Sequence, residues 1–240
     1  MHTADIAAIA TVTVAGFFRG VTGFGGAMMM TPMLSLLIGP VPAVVTALLL
    51  ETAAALVMFP DALPKVNWRT LSYLTLPAIL TVPLGGYFLL TIDPAMARKL
   101  IAAVVILFSI FLLFGWRYHG TPRPFTSLAL GSVVGVLLGA TSVGAPPVIL
   151  YLLSGPDPIV VTRANLTVFV TLISAIGLVM LTAASAITWA IGVSAIILMI
   201  PYLLATWFGG TFFSRLTDLG VRRFALVLML AFGIVSVTLS

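Results

Sequence analysis

Apolar residues run along this chain in long blocks, separated by short charged or Pro/Gly-rich breaks. The pattern gives eight segments: 5–19 with 26–38, 41–60, 69–91, 97–115, 127–140 with 145–154, 160–183, 187–212 and 221–239. Runs such as Leu71–Leu90 and Leu100–Phe114 are about the length that crosses a bilayer. The first and fifth segments differ, because each is interrupted by a polar, Gly-rich stretch: GVTGFGG at Gly20–Gly26 and ATSVGAP at Ala140–Pro146. The pattern predicts an all-α, polytopic integral membrane protein.

The two interruptions belong to a longer correspondence. Gly16, Gly20, Thr22 and Gly25 recur 119 residues later as Gly135, Gly139, Thr141 and Gly144. After a small insertion the offset becomes 124, matching Pro77 to Pro201, Gly85-Gly86 to Gly209-Gly210 and Arg98-Lys99 to Arg222-Arg223. Matches in one order at two fixed offsets indicate an internal duplication. The polar stretch Trp116–Thr126 (WRYHGTPRPFT) divides the chain into repeats at 1–115 and 127–240, with 116–126 as linker.

Composition agrees with the pattern. The chain is 61% hydrophobic and 7% charged, against roughly 25% charged residues in a soluble domain. No cysteine is present, which removes disulfides, thiolate metal sites and a cysteine nucleophile. The two histidines, His2 and His119, lie near segment ends and do not form a metal cluster. The net charge of +5 is spread over the loops and reads as retention of those loops on the cytoplasmic side, not as nucleic-acid binding. MHTADIAAIA carries no Lys or Arg before its apolar run, unlike a cleaved signal.

The same charges bear on topology. If each interrupted segment crosses once, the loop Lys and Arg residues divide about evenly between the two sides. If segments one and five instead enter and return as helical hairpins, eight of ten loop charges fall on one side, with Arg98 and Lys99 opposite. Helical runs of about 15 and 12 residues would also reach only ~22 and ~18 Å, short of a comfortable crossing. The sequence therefore favours inverted three-plus-three repeats, each with a broken or re-entrant hairpin.

Irregular backbone at membrane depth leaves N–H and C=O groups unpaired, and it survives only in protein or against a hydrated cavity. A helix that resumes after a break points free N–H groups and its positive dipole end into the gap, which suits an anion. Gly23, Gly25, Gly26 and Gly144 would let a ligand approach the backbone, while Thr22, Thr141 and Ser142 add neutral hydroxyls. The GxxxG spacings (Gly16/Gly20 and Gly131/Gly135/Gly139) read more simply as helix packing.

At these breaks the chain resembles a known family. GFFRGVTGFGGAMMMTPML, paired with GVLLGATSVGAPPVILYLL, resembles the TauE/SafE family of sulfite and organosulfonate exporters. Arg163, Asn67-Trp68, Trp189 and the two Pro/Gly-Gly pairs fit as well, and the likeness spans essentially the whole chain. It implies a bacterial inner-membrane permease moving small sulfur-containing or carboxylated anions, usually outward. Ser142 and Ala145 depart from the family pattern, standing where glycines are common.

Two charges lie at depth. Arg19 falls ~20 Å along its segment, beside the first break and one helical turn from Thr22. Its planar fork suits carboxylate, sulfonate or sulfite oxygens, with a structural ion pair or headgroup anchor as the plainer role. Glu51 lies about 15 Å into the second segment. It could carry a proton coupled to transport, pair permanently with Arg19, or stay protonated and hydrogen-bonded to backbone. Their repeat counterparts are Leu138 and Val170, so the duplication does not require either charge. Thr46 and Asn165 occupy equivalent places and could donate to a ligand or bond a neighbouring helix. Arg163 opens its segment and reads as an interfacial anchor, as do Trp68, Trp116 and Trp189.

These readings point to a secondary transporter of small anions working by alternating access, with lipid and substrate as partners and protons as the candidate coupling ion. An anion channel is the nearest alternative, and a structural or assembly subunit a more distant one. An enzyme is disfavoured because a nucleophile with a partner base is lacking at depth. No cofactor or metal is expected, and homo-oligomerisation is left open.

Overall fold

The computed structural model describes residues 3–115, 123–213, 227, 230–236 and 238. Nine helices lie within them: α1 (Thr3–Thr22), α2 (Gly26–Ile38), α3 (Pro40–Ala62), α4 (Trp68–Thr91), α5 (Pro94–Leu113), α6 (Pro124–Thr141), α7 (Ala145–Leu152), α8 (Ile159–Ala183) and α9 (Trp189–Phe213). Residues 230–236 are helical too, within the eighth segment. Most of the rest of that segment, most of the linker, and Arg117, Arg215, Arg222 and Arg223 lie outside the described residues.

Local chemistry sets the boundaries. Pro40, Pro94 and Pro124 sit at the starts of α3, α5 and α6, where a missing N–H costs nothing. Asn67 accepts from Thr70 N at 3.3 Å and Asp93 from Ala95 N at 2.8 Å, capping α4 and α5. Gly39, at φ 91°, turns the chain between α2 and α3 in a conformation that favours glycine.

Seven of these helices are long and apolar enough to cross a membrane: α1, α3, α4, α5, α6, α8 and α9. Their exposed faces are apolar, as along Leu76, Leu80, Leu84 and Phe88 of α4, so the outer surface suits lipid. This is a multi-pass membrane protein. Its centre is the pair α3 and α8, flanked by α4 against α6 on one side and α1 against α9 on the other.

Glycine contacts give the direction of each helix. Gly131, Gly135 and Gly139 of α6 meet Leu74, Ala78 and Val82 of α4 in rising order, so these two run parallel. Gly16 of α1 meets Tyr202 of α9, and Gly20 meets Thr206 and Gly210, so this pair is parallel as well. The two interfaces correspond contact for contact: Gly135 on Ala78 and Gly16 on Tyr202, Gly139 on Val82 and Gly20 on Thr206, Gly85 on Val136 and Gly209 on Phe17. Backbone meets backbone at each crossing, because lipid gives no hydrophobic reward and close van der Waals packing must hold the helices together.

The interrupted segments turn back on themselves. Tyr151, near the end of α7, places its hydroxyl 2.8 Å from Ser127 Oγ and 3.2 Å from Arg123 N, both at the start of α6. The α6–α7 pair is therefore a hairpin whose ends lie on one face. Ala27, at the start of α2, meets Glu51 midway along α3, and α2 ends at Gly39 where α3 begins. So α2 runs against α3, which itself runs with α9 and α1, and α1–α2 is a second hairpin entering from the opposite face.

The length argument for these hairpins does not survive. α1 has 20 residues and α6 has 18, so they extend ~30 and ~27 Å and not the shorter runs expected. Gly20, Val21 and Thr22 stay helical because Gly20 is pressed on the α9 backbone and Thr22 Oγ1 bonds the Phe18 carbonyl at 2.7 Å. The break proper is only Gly23–Gly25, and Gly26 already belongs to α2. Chain direction, not helix length, makes these segments hairpins.

Lys65 closes the turn after α3 and Lys99 lies in the second turn of α5 after α4 has crossed back, so single cysteines at these positions should react with an impermeant thiol reagent from opposite faces. Gly139→Val should cost roughly 1–3 kcal/mol, read as a lower unfolding midpoint in detergent, because its new atoms meet the Val82 carbonyl. Gly192→Val, with nothing within 4 Å, should leave the midpoint unchanged.

Candidate functional site

Arg19 lies in the last turn of α1 and is 5% exposed, so its charge requires a partner within the protein. Glu51 of α3, 6% exposed, supplies it: Arg19 Nε donates to Glu51 Oε2 at 2.9 Å. Arg19 Nη1 also donates to the Gly23 carbonyl, closing the turn at the tip of the first hairpin. The other carboxylate oxygen, Oε1, accepts from Ala27 N at 2.9 Å and from Tyr202 Oη at 3.0 Å. One carboxylate thus joins the end of α1, the start of α2 and the middle of α9.

The arrangement answers the need for an anion at the start of α2. That helix exposes free N–H groups, and Glu51 caps one of them with a negative charge. Gly26 must be glycine here, since a side chain would run into Tyr202 Oη and Glu51 Oε1. Gly23 and Gly25 take φ of 80° and 89°, the left-handed region that glycine adopts without penalty. The second break is poorer in donors, because α7 opens with Pro146 and Pro147, which have no N–H.

Both breaks share one staple. Thr22 Oγ1 donates to the Phe18 carbonyl at 2.7 Å and accepts from Phe24 N at 3.4 Å. Thr141 Oγ1 donates to the Leu137 carbonyl at 2.6 Å and accepts from Val143 N at 3.2 Å. These hydroxyls hold their own turns. Ser142 takes the left-handed conformation, φ 60°, at the position matching Gly23, and its Oγ lies 2.7 Å from Thr31 Oγ1 of α2. That bond ties one hairpin to the other.

Between the hairpins and α8 lies a cavity of about 320 Å³. Arg19, Thr22, Gly23, Gly25, Glu51, Ser142 and Gly144 all line it. Positions 119 apart line it in pairs: Arg19 with Leu138, Gly23 with Ser142, Gly25 with Gly144, Glu51 with Val170. The buried Arg19–Glu51 pair accordingly has apolar counterparts in the lining, Leu138 and Val170. The exposed rim holds Met58, Ile159 and Arg163, and the buried end holds Arg19, Glu51 and Ser174.

The residues expected from sequence do not all meet. Thr141 is fully buried and does not line the cavity, nor does Gly26. Thr46 and Asn165 lie elsewhere: Asn165 Oδ1 accepts from Asn67 N at 2.9 Å, and Thr46 Oγ1 and Asn165 Nδ2 are buried with no hydrogen bond among the described residues. Two participants were missed. Tyr202 gives no sequence signal beyond a phenol deep in an apolar run. Arg163, expected as an anchor in the interface, stands on the cavity rim.

Over residues 8–236 the chain matches one family model, sulfite exporter TauE/SafE. The chain belongs to the TauE/SafE family. It is therefore an exporter-type membrane transporter in class, with seven helices long and apolar enough to cross a membrane among the described residues. No curated protein and no solved structure matches the chain. In this TauE/SafE protein the cavity between the hairpins is where the charged side chains at depth converge.

Removing one member of a buried ion pair strands the other, which costs about 3–5 kcal/mol. Arg19→Met should lower stability in detergent by that order, and Arg19→Met with Glu51→Met should recover most of the loss. Tyr202→Phe, which deletes one bond to a charged acceptor, should cost about 1.5–3 kcal/mol in the same unfolding measurement.

Proposed function

We propose that this protein is a secondary transporter exporting small anions (sulfite, organosulfonates or related organic acids) by alternating access around its two Gly-rich breaks. The observation that carries the reading is the cavity itself, in which a buried arginine and the tips of both hairpins face one space. Family membership supports the substrate class. The repeats are 1–115 and 127–240, joined by the linker 116–126, and the paired lining of the cavity favours a site on their pseudo-twofold axis.

In this reading the entering anion competes with Glu51 for Arg19 and for the N–H groups at the start of α2. The guanidinium fork accommodates two oxygens of a sulfonate, sulfite or carboxylate. Displaced from Arg19, Glu51 becomes the group that takes a proton from the aqueous side, linking anion and proton movement. Gly23, Gly25 and Gly144 allow the anion close to backbone. Lys65, Arg69, Arg123 and Arg163 lie on the face where the cavity opens, and by the positive-inside rule this supports a cytoplasmic opening, in this reading that of a bacterial inner membrane. No catalytic step and no cofactor enters this scheme.

Counterflow in proteoliposomes with sulfite, taurine, sulfoacetate and simple carboxylates tests it. Substrate loaded on one side should accelerate uptake from the other, and Arg19→Ala should reduce that exchange by about tenfold or more. Equal exchange by wild type and Arg19→Ala would remove the site, and rapid flux without acceleration would indicate a channel. Glu51→Gln should transport without responding to a pH gradient, while an unchanged response would dismiss proton coupling.

A further inference from the structure

Arg19 faces the cavity with its charge already matched by Glu51, so an approaching anion gains little from it at a distance. The cavity holds a second cation. Arg163, in the second turn of α8, lines the rim and has no carboxylate within ion-pair distance among the described residues. Of the charged side chains that line the space, two are arginines and one is glutamate, so Arg163 carries its net positive charge.

Arg163 also starts a row. Thr167, Val170 and Ser174 follow it at three- or four-residue spacing, on one face of α8, and all four line the cavity from the rim to the buried end. The Thr167 and Ser174 hydroxyls make no hydrogen bond among the described residues. Ser174 is 1% exposed, so its polar group faces the cavity in place of a protein partner. The position matching Arg163 in the first half is Val44, buried and apolar, so this row exists on one side only.

From this geometry, and resting on the anion-transport reading above, we propose that Arg163, Thr167 and Ser174 form an outer anion-binding station. Its ligand is a small oxyanion, held first by the Arg163 guanidinium at the rim and then passed along the two hydroxyls toward Arg19. The station attracts the anion while the inner pair is closed. Arrival of the anion beside Arg19 then opens that pair. A salt-screened charge governs capture, and a neutralised, buried charge governs the committed step.

Equilibrium binding of sulfite and of methanesulfonate to the purified full-length protein, by titration calorimetry at low and high salt, tests the station. Arg163→Ala should weaken binding by about tenfold at low salt and flatten the salt dependence, and Arg163→Lys should restore most of both. Arg19→Ala should retain weak, salt-sensitive binding that Arg19→Ala with Arg163→Ala loses. Wild-type affinity and salt dependence in Arg163→Ala would overturn the proposal, as would a wild-type protein that binds neither probe. Binding that depends on Arg163 without any counterflow would remove the transporter reading and leave the station standing. Counterflow with binding indifferent to Arg163 would do the reverse.

Discussion

A charge without water must find its opposite, and this constraint organises the centre of the molecule. Arg19 ends α1 at a depth where hydration is lost, and Glu51 on α3 is the carboxylate that meets it. Because the second oxygen of Glu51 also takes the α2 N–H at Ala27 and the Tyr202 phenol, one side chain fixes three helices relative to each other. A pair this well satisfied is weak support for stability in itself, since apolar replacements can pack as well. Its consequence lies in position: it closes the first hairpin tip with groups that an incoming anion could also use.

The surroundings are built from the opposite material. Where α1 meets α9 and α6 meets α4, glycines bring backbone against backbone, with no charged group involved. Lipid tails are as apolar as the helices, so contact distance and not burial of oily surface decides association there. The two interfaces repeat contact for contact, yet the chemistry they support does not. Arg19, Glu51, Arg163 and Tyr202 stand opposite Leu138, Val170, Val44 and Ala78. A near-symmetric frame therefore carries an asymmetric set of charges, each facing the cavity without a charged counterpart at its matching position.

Much of this was legible beforehand because membranes simplify the code. Helix positions followed from apolar run length, and the segment ends shifted by only a few residues. Arg19 and Glu51 stood out because any charge in an apolar run demands explanation. The extent of the first break was misread, since glycine in the sequence does not reveal whether a neighbouring helix holds it in helical form, as α9 does for Gly20. Thr22 and Thr141 read as hydroxyl donors at the breaks, and each also completes its own turn, a local bond that composition does not disclose.

By itself, then, the sequence determined the solvent, the helices, the two paired breaks and the presence of buried charge, because each follows from local hydropathy and residue type. The tertiary structure decided who meets whom. Glu51 lies 32 positions from Arg19 and Tyr202 lies 151 from Glu51, separations over which no local rule selects a partner. Only the packed helices show that Arg163 lines the cavity rim, and that Thr46 and Asn165, read as ligand donors or as bonds to a neighbouring helix, lie outside its lining. Those outcomes depend on helix crossing and rotation, which close packing sets across the whole bundle.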